Sequence, residues 1–184
     1  TEDAELKPAP YFRKEFSSNK EIKEARAYIT AAGLFELFIN GKRVGDHIMD
    51  PAYTRFDRRN LYVSHDISSF LESDNAIGVL LGNGWYNHQS TAVWDFHKAP
   101  WRARPRFCMD VRITYEDGSI ETISSDESWK TAIGPLVFNS IYTAEHYDAN
   151  LEQAGWDKAG FDDSKWKNSR VVDAPSQNIA APVM

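Results

Sequence analysis

Several short stretches of the chain alternate between apolar and polar residues. From residue 25 to residue 31 every second position is alanine or isoleucine, with arginine, tyrosine and threonine between them. Residues 107–115 alternate in the same way, with phenylalanine, methionine, valine, isoleucine and tyrosine on one face. A period of two is typical of a strand that buries one face. Both stretches are therefore predicted strands, and the continuous apolar run 75–81 predicts another.

Turn-forming residues connect these segments into hairpins. Asn40 and Gly41 both tolerate positive φ and stand between the alternating segment 34–39 and residues 42–44, which predicts a two-residue hairpin. The sequence EDGS at 116–119 similarly turns the chain from the second alternating stretch into a returning strand that ends at residue 124.

Weaker signals occur around these hairpins. Strands are predicted at 129–132 and 137–142, on either side of a Gly-Pro break. Aspartate is a favoured residue at the start of a helical turn. We therefore expect Asp66 to cap a single turn, and the aspartate pair 162–163 to cap a short helical turn that ends near Trp166.

The elements together predict an all-β fold, because no helical pattern exceeds about three turns. Short strands bounded by turn residues are typical of an antiparallel sandwich. Residues 1–10 are expected to form a flexible leader whose Pro8-Ala9-Pro10 end stays outside a regular ladder. The sandwich is predicted over 11–176, and the apolar end 177–184 is expected to begin a linker to a further domain.

Composition narrows the classes of partner and site. Lys and Arg number 21 against 27 Asp and Glu, and this interspersed net charge of −6 argues against a nucleic-acid partner. No membrane span or cofactor is predicted, and both cytoplasmic and exported locations fit. The single Cys108 excludes an internal disulfide and lacks an activating neighbour, so we expect it to be inert. The five histidines lack the spacing of a zinc site, so no metal site is predicted.

The heptapeptide LGNGWYN, residues 81–87, is the most distinctive motif. Two glycines permit a sharp turn or a close approach of backbone, and two aromatic rings follow them. The motif fits either a tight corner of the core or a sugar-binding platform. The loop 87–104 that follows has no periodic pattern, and long loops of this kind are often functional.

Three segments in order resemble one family, the N-terminal β-sandwich domain of bacterial α-L-rhamnosidases. The segments are ARAYITAAGLFELFINGKRVGDHIMDPAYTRFDRRNLYVSHDISSFL at 25–71, NAIGVLLGNGWY at 75–86 and YTAEHYDANLEQAGWDKAGFDDSKW at 142–166. The resemblance implies a jelly-roll β-sandwich of the galactose-binding-domain-like kind. Ala144 and Asn150 depart from the glycine and arginine usual in the family, so contacts of that segment are expected to differ.

The resemblance also implies a function for the parent protein. Relatives hydrolyse terminal α-L-rhamnosyl linkages with inversion, using carboxylates on a separate (α/α)6 barrel that these 184 residues do not contain. The chain is therefore expected to be a non-catalytic accessory domain whose partner is the barrel of the same polypeptide. A free-standing lectin-like module that binds rhamnose-containing saccharide, and a purely structural scaffold between domains, are the alternatives.

Nine residues are candidates for binding saccharide or a neighbouring domain, and none is expected to be catalytic. Glu145 and Asp148 could form an acid–base pair, but residues three apart in an extended segment point to opposite sides. The family pattern favours a structural corner at Trp85, with the two residues after it facing ligand or the barrel. The candidates are Tyr86, Asn87, Trp94, Asp95, Trp101, Arg104, Glu145, Tyr147 and Asp148.

Overall fold

The computed structural model describes residues 8–91 and 94–182, which form thirteen β-strands. The strands are β1 (Pro10–Ser17), β2 (Ile22–Ala32), β3 (Leu34–Ile39), β4 (Lys42–Arg43), β5 (Asn60–Asp66), β6 (Asp74–Gly82), β7 (Arg106–Tyr115), β8 (Ile120–Ser124), β9 (Lys130–Ile133), β10 (Leu136–Ser140), β11 (Ala144–Tyr147), β12 (Lys167–Asn168) and β13 (Ile179–Ala180). The described residues contain no α-helix, only 3₁₀ turns at Ser68–Phe70, Phe96–Lys98 and Ala149–Leu151. None of these turns has the length needed to cross a membrane.

Two sheets pack face to face. The first has the order β12-β9-β1-β6-β3-β4, the second has the order β13-β5-β2-β7-β8, and β10 and β11 pair as a separate hairpin. The pairings are antiparallel except for that of β13 with β5, which is parallel. The prediction of an antiparallel jelly-roll β-sandwich is therefore confirmed.

The alternating segments supply the core between the sheets. Ala27 of β2 stands opposite Val111 of β7, and Ile29 stands opposite Met109, so the apolar faces of the two strands coincide. The facing sheet contributes the inward side chains of β3 and β6, including Leu37. Burying an aliphatic side chain of this size stabilises the fold by roughly 1.5–3 kcal/mol. The period-two pattern thus identifies the residues that hold the sandwich together.

Strand β1 lies between β9 and β6 in the first sheet, yet the sequence pattern did not predict it. Its residues Arg13, Lys14 and Glu15 interrupt the apolar alternation. The Arg13 side chain is only 1% exposed. It donates from Nε to the Trp156 carbonyl at 2.9 Å and from Nη2 to the Lys158 carbonyl at 3.0 Å. These distant partners make a buried cation acceptable in a central strand.

The same segment builds a second aromatic packing unit on the outer face of the first sheet, here named the closed cluster. It consists of Tyr11, Phe38, Trp156, Phe161 and Trp166. Tyr11 and Trp156 stack with ring centroids 3.9 Å apart. Gly78 of β6 makes room for this stack, since a Cβ there would lie 2.8 Å from the Trp156 ring. The cluster attaches residues 155–166 to the sheet.

Both predicted ends of the sandwich differ in the structure. Pro10 opens β1 and stands opposite Ile133, because proline is tolerated as the first residue of a strand. The leader prediction otherwise falls on residues 1–7, outside the described residues, and on Pro8 and Ala9. Within the predicted linker, Ile179 and Ala180 add a short parallel strand beside β5.

At both predicted capping sites an aspartate accepts a hydrogen bond from the backbone N–H two residues further on. Asp66 accepts from the Ser68 backbone N–H at 3.0 Å, but the N-cap of the 3₁₀ turn that follows is Ile67, which makes no side-chain cap hydrogen bond. Asp162 accepts from the Ser164 backbone N–H at 3.1 Å, and residues 164–165 form a hydrogen-bonded turn that closes at Trp166 rather than a helix. Asp163 instead forms an ion pair with Arg13. A long-range charge partner outweighs the local capping preference at this position.

Candidate functional site

The LGNGWYN motif forms a tight corner at the end of β6. Gly84 has φ +52°, a conformation that favours glycine. An alanine Cβ at this position would lie 2.9 Å from Leu34 Cγ and 3.2 Å from the Gly33 carbonyl carbon. The corner therefore needs glycine at residue 84 both for its backbone conformation and for its packing.

Amide side chains fix the loop after this corner to strand β10. The Asn83 backbone N–H donates to Asn139 Oδ1 at 2.7 Å, and Asn83 Nδ2 donates to the Asn139 carbonyl at 3.0 Å. Asn87 Nδ2 donates to Asn83 Oδ1 at 3.1 Å, and Asn87 Oδ1 accepts from Arg102 Nε at 3.1 Å. This network holds the start and the end of the aromatic loop together beside the β10–β11 hairpin.

Above the network lies an aromatic surface, here named the open cluster. Trp85 stacks on His88, with ring centroids 5.4 Å apart and planes at 17°. The ring of Tyr142, from the hairpin turn, lies 5.6 Å from Trp85, and that of Tyr53 lies 5.8 Å from it. The cluster comprises Tyr53, Trp85, His88, Trp94, Phe96, Trp101 and Tyr142.

Much of the open cluster faces solvent. Trp94 is 79% exposed, and Tyr53 and Tyr142 are each 49% exposed. Contiguous exposed aromatic surface of this kind marks a site for binding a ligand or a protein surface. The partly buried surroundings of Tyr53 raise the pKa of its phenol. Since a tyrosine phenol is already uncharged at neutral pH, the surface presents an uncharged hydroxyl beside apolar rings.

A charged pair lies at the rim of this cluster. Arg55 donates from Nε and Nη2 to the two Asp57 oxygens at 2.8 Å and 3.1 Å, and this pairing lowers the pKa of the Asp57 carboxyl. The Arg55 guanidinium also lies 5.7 Å from the centre of the Trp101 ring. The Trp101 Nε1 atom is buried without a hydrogen-bond partner among the described residues. The rim thus combines the Asp57 carboxylate, which Arg55 holds in place, with the Arg55 guanidinium over the Trp101 ring. The Trp101 indole N–H adds a donor without a partner among the described residues.

Two of the predicted contact residues lie inside the domain. Tyr86 is 2% exposed and packs against Phe56, and Asn87 is fully buried in the amide network. The expectation that these two side chains face outward is wrong, because Arg102 and Asn83 satisfy the Asn87 amide within the fold. The buried surroundings of Tyr86 raise the pKa of its phenol.

The other predicted loop residues occupy different surfaces. Trp94 and Trp101 belong to the open cluster, whereas Arg104 lines a groove at another edge of the sandwich. Asp95 has φ +54° and pairs with Lys98, with 3.1 Å between Oδ1 and Nζ. The loop therefore does not gather all of its candidate residues into one site.

The three candidates from the hairpin are exposed or half-buried near its end. Glu145 lies opposite Asn139 in the β10–β11 ladder. Tyr147 donates its hydroxyl to Glu152 Oε1 at 2.6 Å, which raises the pKa of the Tyr147 phenol. Asp148 Oδ1 accepts from the Asn150 backbone N–H at 3.0 Å and caps the turn that follows. Asp148 thus has a local structural role.

Sequence reasoning missed several members of the open cluster. Tyr53 lies in the 51–60 loop, His88 directly follows the motif, and Tyr142 was expected to end a strand but stands in the turn after β10. The aromatic residues in the loops were the available signal. Their convergence depends on the Asn83–Asn139 contact, which joins residues 56 positions apart.

None of the carboxyl groups with a shifted pKa is suited to act as an acid catalyst. Asp57, Asp66, Asp117, Asp126 and Asp162 all have a lowered pKa, because each accepts hydrogen bonds that favour the charged form. A general acid in glycoside hydrolysis needs a raised pKa instead. Within residues 8–91 and 94–182, no three His, Cys, Asp or Glu side chains gather as a metal site.

Comparison with known proteins assigns the family. Residues 20–184 match the family described as the alpha-L-rhamnosidase N-terminal domain. The chain belongs to this family. An α-L-rhamnosidase from Formosa agariphila is 36% identical over 185 residues, which cover 94% of this chain and 18% of the relative. The resemblance stated from the three sequence segments is thereby confirmed.

Solved structures of α-L-rhamnosidases contain the same domain. The enzyme from Dictyoglumus thermophilum is 44% identical with a TM-score of 0.85, over 96% of this chain and 19% of that chain. The Streptomyces avermitilis enzyme, solved with L-rhamnose, is 33% identical with a TM-score of 0.88, over 96% of this chain and 17% of that chain. This rhamnosidase N-terminal domain spans less than a fifth of the length of the curated relatives it matches.

A similar fold also occurs in a lectin. A lectin from Pleurotus ostreatus, solved with GalNAc, has a TM-score of 0.53 at 19% identity, over 97% of this chain and 42% of that chain. At this identity the likeness concerns the fold alone. A sandwich of this architecture is therefore also found in a protein that is named a lectin.

Proposed function

We propose that this domain is the non-catalytic N-terminal part of an α-L-rhamnosidase and that its open cluster contacts another domain of the same polypeptide. The observation that carries the proposal is the coverage of the matches. Relatives named α-L-rhamnosidase match 85–94% of this chain, yet the matched part is only 16–18% of their length. Hydrolysis of the rhamnosyl linkage then belongs to the remaining part, for which we expect the (α/α)6 barrel.

The open cluster suits such a contact. Protein interfaces are enriched in aromatic residues at their centres. Trp94 offers most of its surface to solvent in the domain alone, and Tyr53 and Tyr142 offer about half of theirs. Covering them removes apolar area from water, and the rigid amide network beneath limits the entropy lost on contact. Tyr142 joins this surface to the turn of the β10–β11 hairpin.

A comparison of hydrolytic activity tests the accessory role. We expect the 184-residue chain to leave an aryl α-L-rhamnoside unchanged, and the polypeptide extended through the region that follows in the gene to hydrolyse it. Hydrolysis by the short chain, after removal of contaminating enzyme, would contradict a non-catalytic role. An extended gene product without a barrel-length helical region would contradict the parent assignment.

Saccharide binding at the same surface is the second candidate. Exposed Trp94 and Tyr53 rings beside the fixed Asp57 carboxylate resemble the aromatic and polar mixture that holds sugars. Titration of the chain with L-rhamnose, followed by tryptophan fluorescence, separates this candidate from an interdomain contact. A saturable change that is lost in Trp94→Ala supports saccharide binding, and an unchanged spectrum opposes it.

A further inference from the structure

A groove at one edge of the sandwich, here named the edge groove, lies apart from the open cluster. It has a volume of about 1130 Å³ and is bounded by the start of β7, the end of β9 and the segment 169–176. Ligand sites for drug-sized molecules usually occupy about 300–1000 Å³. The edge groove therefore has room for an extended ligand.

The charges around the edge groove are strongly unequal. Its lining contains five basic residues and one acidic residue, Asp126, although the whole chain carries a net charge of −6. The Asp126 carboxylate is already engaged by the Ser128 backbone N–H at 2.8 Å. The five basic residues are Arg104, Arg106, Lys165, Lys167 and Arg170.

None of these five cations forms an ion pair with a carboxylate in the described part of the chain, although Lys165 lies close enough to Asp162 to help lower the pKa of that carboxyl. The ion pairs found there involve other Lys, Arg and His side chains. Arg106 donates from Nη1 to the Asp173 carbonyl at 2.6 Å, which uses one of its five N–H groups. Unpaired cations gathered around a concave surface attract an anionic ligand, because their fields add there.

Residues in the wall of the edge groove also hold polar atoms without partners. Asn60 Oδ1, Arg106 Nε and Ser169 Oγ are buried and make no hydrogen bond within residues 8–91 and 94–182. Asn60 as a whole is 4% exposed. Burying a polar group without a hydrogen bond costs free energy. These three atoms therefore give the wall of the groove hydrogen-bonding capacity that the described residues do not use.

Apolar side chains complete the groove. Phe12, Phe107 and Val172 line it beside the charged residues. A ligand with hydroxyl groups, negative charges and apolar ring faces matches these three features together. A fatty acid anion lacks the hydroxyl groups, and it would leave the buried Asn60 and Ser169 oxygens unpaired.

We propose that the edge groove binds an acidic saccharide, a carbohydrate that carries carboxylate or sulfate groups. The saccharide class rests on the proposed rhamnosidase function, whereas the requirement for negative charge rests on the groove itself. Arg104 and Arg170 pair with the anionic groups, since guanidinium and carboxylate or sulfate oxygens form charge-assisted hydrogen bonds. The edge groove would then hold an acidic part of the glycan while the rhamnosyl linkage is cleaved elsewhere.

Cys108 gives a local measurement of occupancy, because the single cysteine of the chain lines the edge groove. The chain is titrated with tetragalacturonate and, separately, with neutral galactotetraose, and the rate of Cys108 alkylation is followed. We expect the acidic sugar to slow alkylation about tenfold at saturation and the neutral sugar to leave the rate unchanged. A sulfated tetrasaccharide tested in parallel distinguishes the two kinds of anionic group.

Matched double variants test the cations. Arg104→Gln with Arg170→Gln should weaken binding of the better acidic sugar by about tenfold or more. Lys23→Gln with Lys42→Gln removes the same charge elsewhere and should change affinity less than about twofold. The proposal would be overturned if both double variants lost affinity equally, or if neither acidic sugar protected Cys108. Equal protection of Cys108 by an oligoglutamate peptide would also overturn it. The rhamnoside assay of the extended polypeptide does not depend on this groove, so the two proposals can fail separately.

Discussion

The closed and open clusters are built from the same kinds of side chain but differ in what surrounds their rings. In the closed cluster Tyr11, Trp156 and Trp166 are at most 9% exposed, and Trp166 Nε1 donates to Gln153 at 2.9 Å. In the open cluster Trp94 is largely exposed and Trp101 Nε1 has no partner among the described residues. The closed cluster is complete within this chain, whereas the open cluster has unused surface and an unused donor.

This difference indicates that the closed cluster contributes to folding stability and that the open cluster is available for binding. Aromatic rings that are stacked, buried and hydrogen-bonded contribute to folding. Rings that remain exposed contribute little to folding and are available for contact with another surface. We therefore expect substitutions in the closed cluster to change the free energy of unfolding, and substitutions at exposed positions of the open cluster to change binding.

The largest effect is expected at Trp156. Trp156→Ala should lower the free energy of unfolding by about 3–5 kcal/mol, because it leaves a cavity beside Tyr11 and above Gly78. Trp94→Ala should stay within about 0.5 kcal/mol of the wild-type chain, since most of that side chain is already in water. Urea unfolding followed by circular dichroism measures both. Similar losses in the two variants would remove the distinction between the clusters.

The next effect concerns the cation beneath the closed cluster. Arg13→Met should cost about 2–3 kcal/mol, because the Trp156 and Lys158 carbonyls and the Asp163 carboxylate lose a charged donor. Lys14→Met, on the same strand, removes an exposed hydrogen bond to Ser128 and should cost less than about 1 kcal/mol. Equal urea midpoints for Arg13→Met and the wild-type chain would show that Arg13 does not hold segment 155–166.

A smaller effect is expected at the corner that carries the open cluster. Gly84→Ala should cost about 2 kcal/mol, from its positive φ and the contacts with Leu34 and Gly33. Gly118→Ala has φ +81° but open space around it, so it should cost only about 1 kcal/mol. Thermal or urea unfolding compares the pair. A Gly84→Ala cost no larger than that of Gly118→Ala would remove the packing part of the argument.

The smallest effect is a dependence of stability on pH. Burial raises the pKa of Tyr11 to about 12, above its ordinary value near 10. Between these values the unfolded chain loses the proton first, so the stability supplied by neutral Tyr11 is lost as pH rises towards 12. Urea midpoints measured across this range should fall less steeply in Tyr11→Phe than in the wild-type chain. Identical slopes would contradict a buried phenol at this position.

The alternating and turn signals predicted much of the sandwich, because β2, β3, β6, β7 and β8 depend on local patterns. Strand β1 escaped prediction because its buried Arg13 is satisfied by Asp163, 150 positions away. Nothing local distinguishes such an arginine from an exposed one. The Pro8-Ala9-Pro10 stretch predicts the end of a leader, and the charged residues after it therefore lie within the predicted sandwich without a predicted strand.

The candidate site was predictable only in part for the same physical reason. Loop aromatics such as Trp94 indicated an exposed surface, and the structure includes Trp94 in the open cluster. Tyr86 and Asn87 were misplaced, because their burial depends on Phe56 and Arg102 from other parts of the chain. Composition identifies which side chains a site could use, but contacts between distant segments decide which of them stay at the surface.

The central claim is that the open cluster is a contact surface for the rest of an α-L-rhamnosidase polypeptide. Oxidative footprinting with peptide mass spectrometry measures the accessibility of Trp94 in the 184-residue chain and in the extended polypeptide, both without sugar. We expect Trp94 oxidation to fall about fivefold in the extended polypeptide, since interface cores exclude water, while the buried Trp156 stays slow in both. Equal oxidation of Trp94 in the two proteins would contradict the claim.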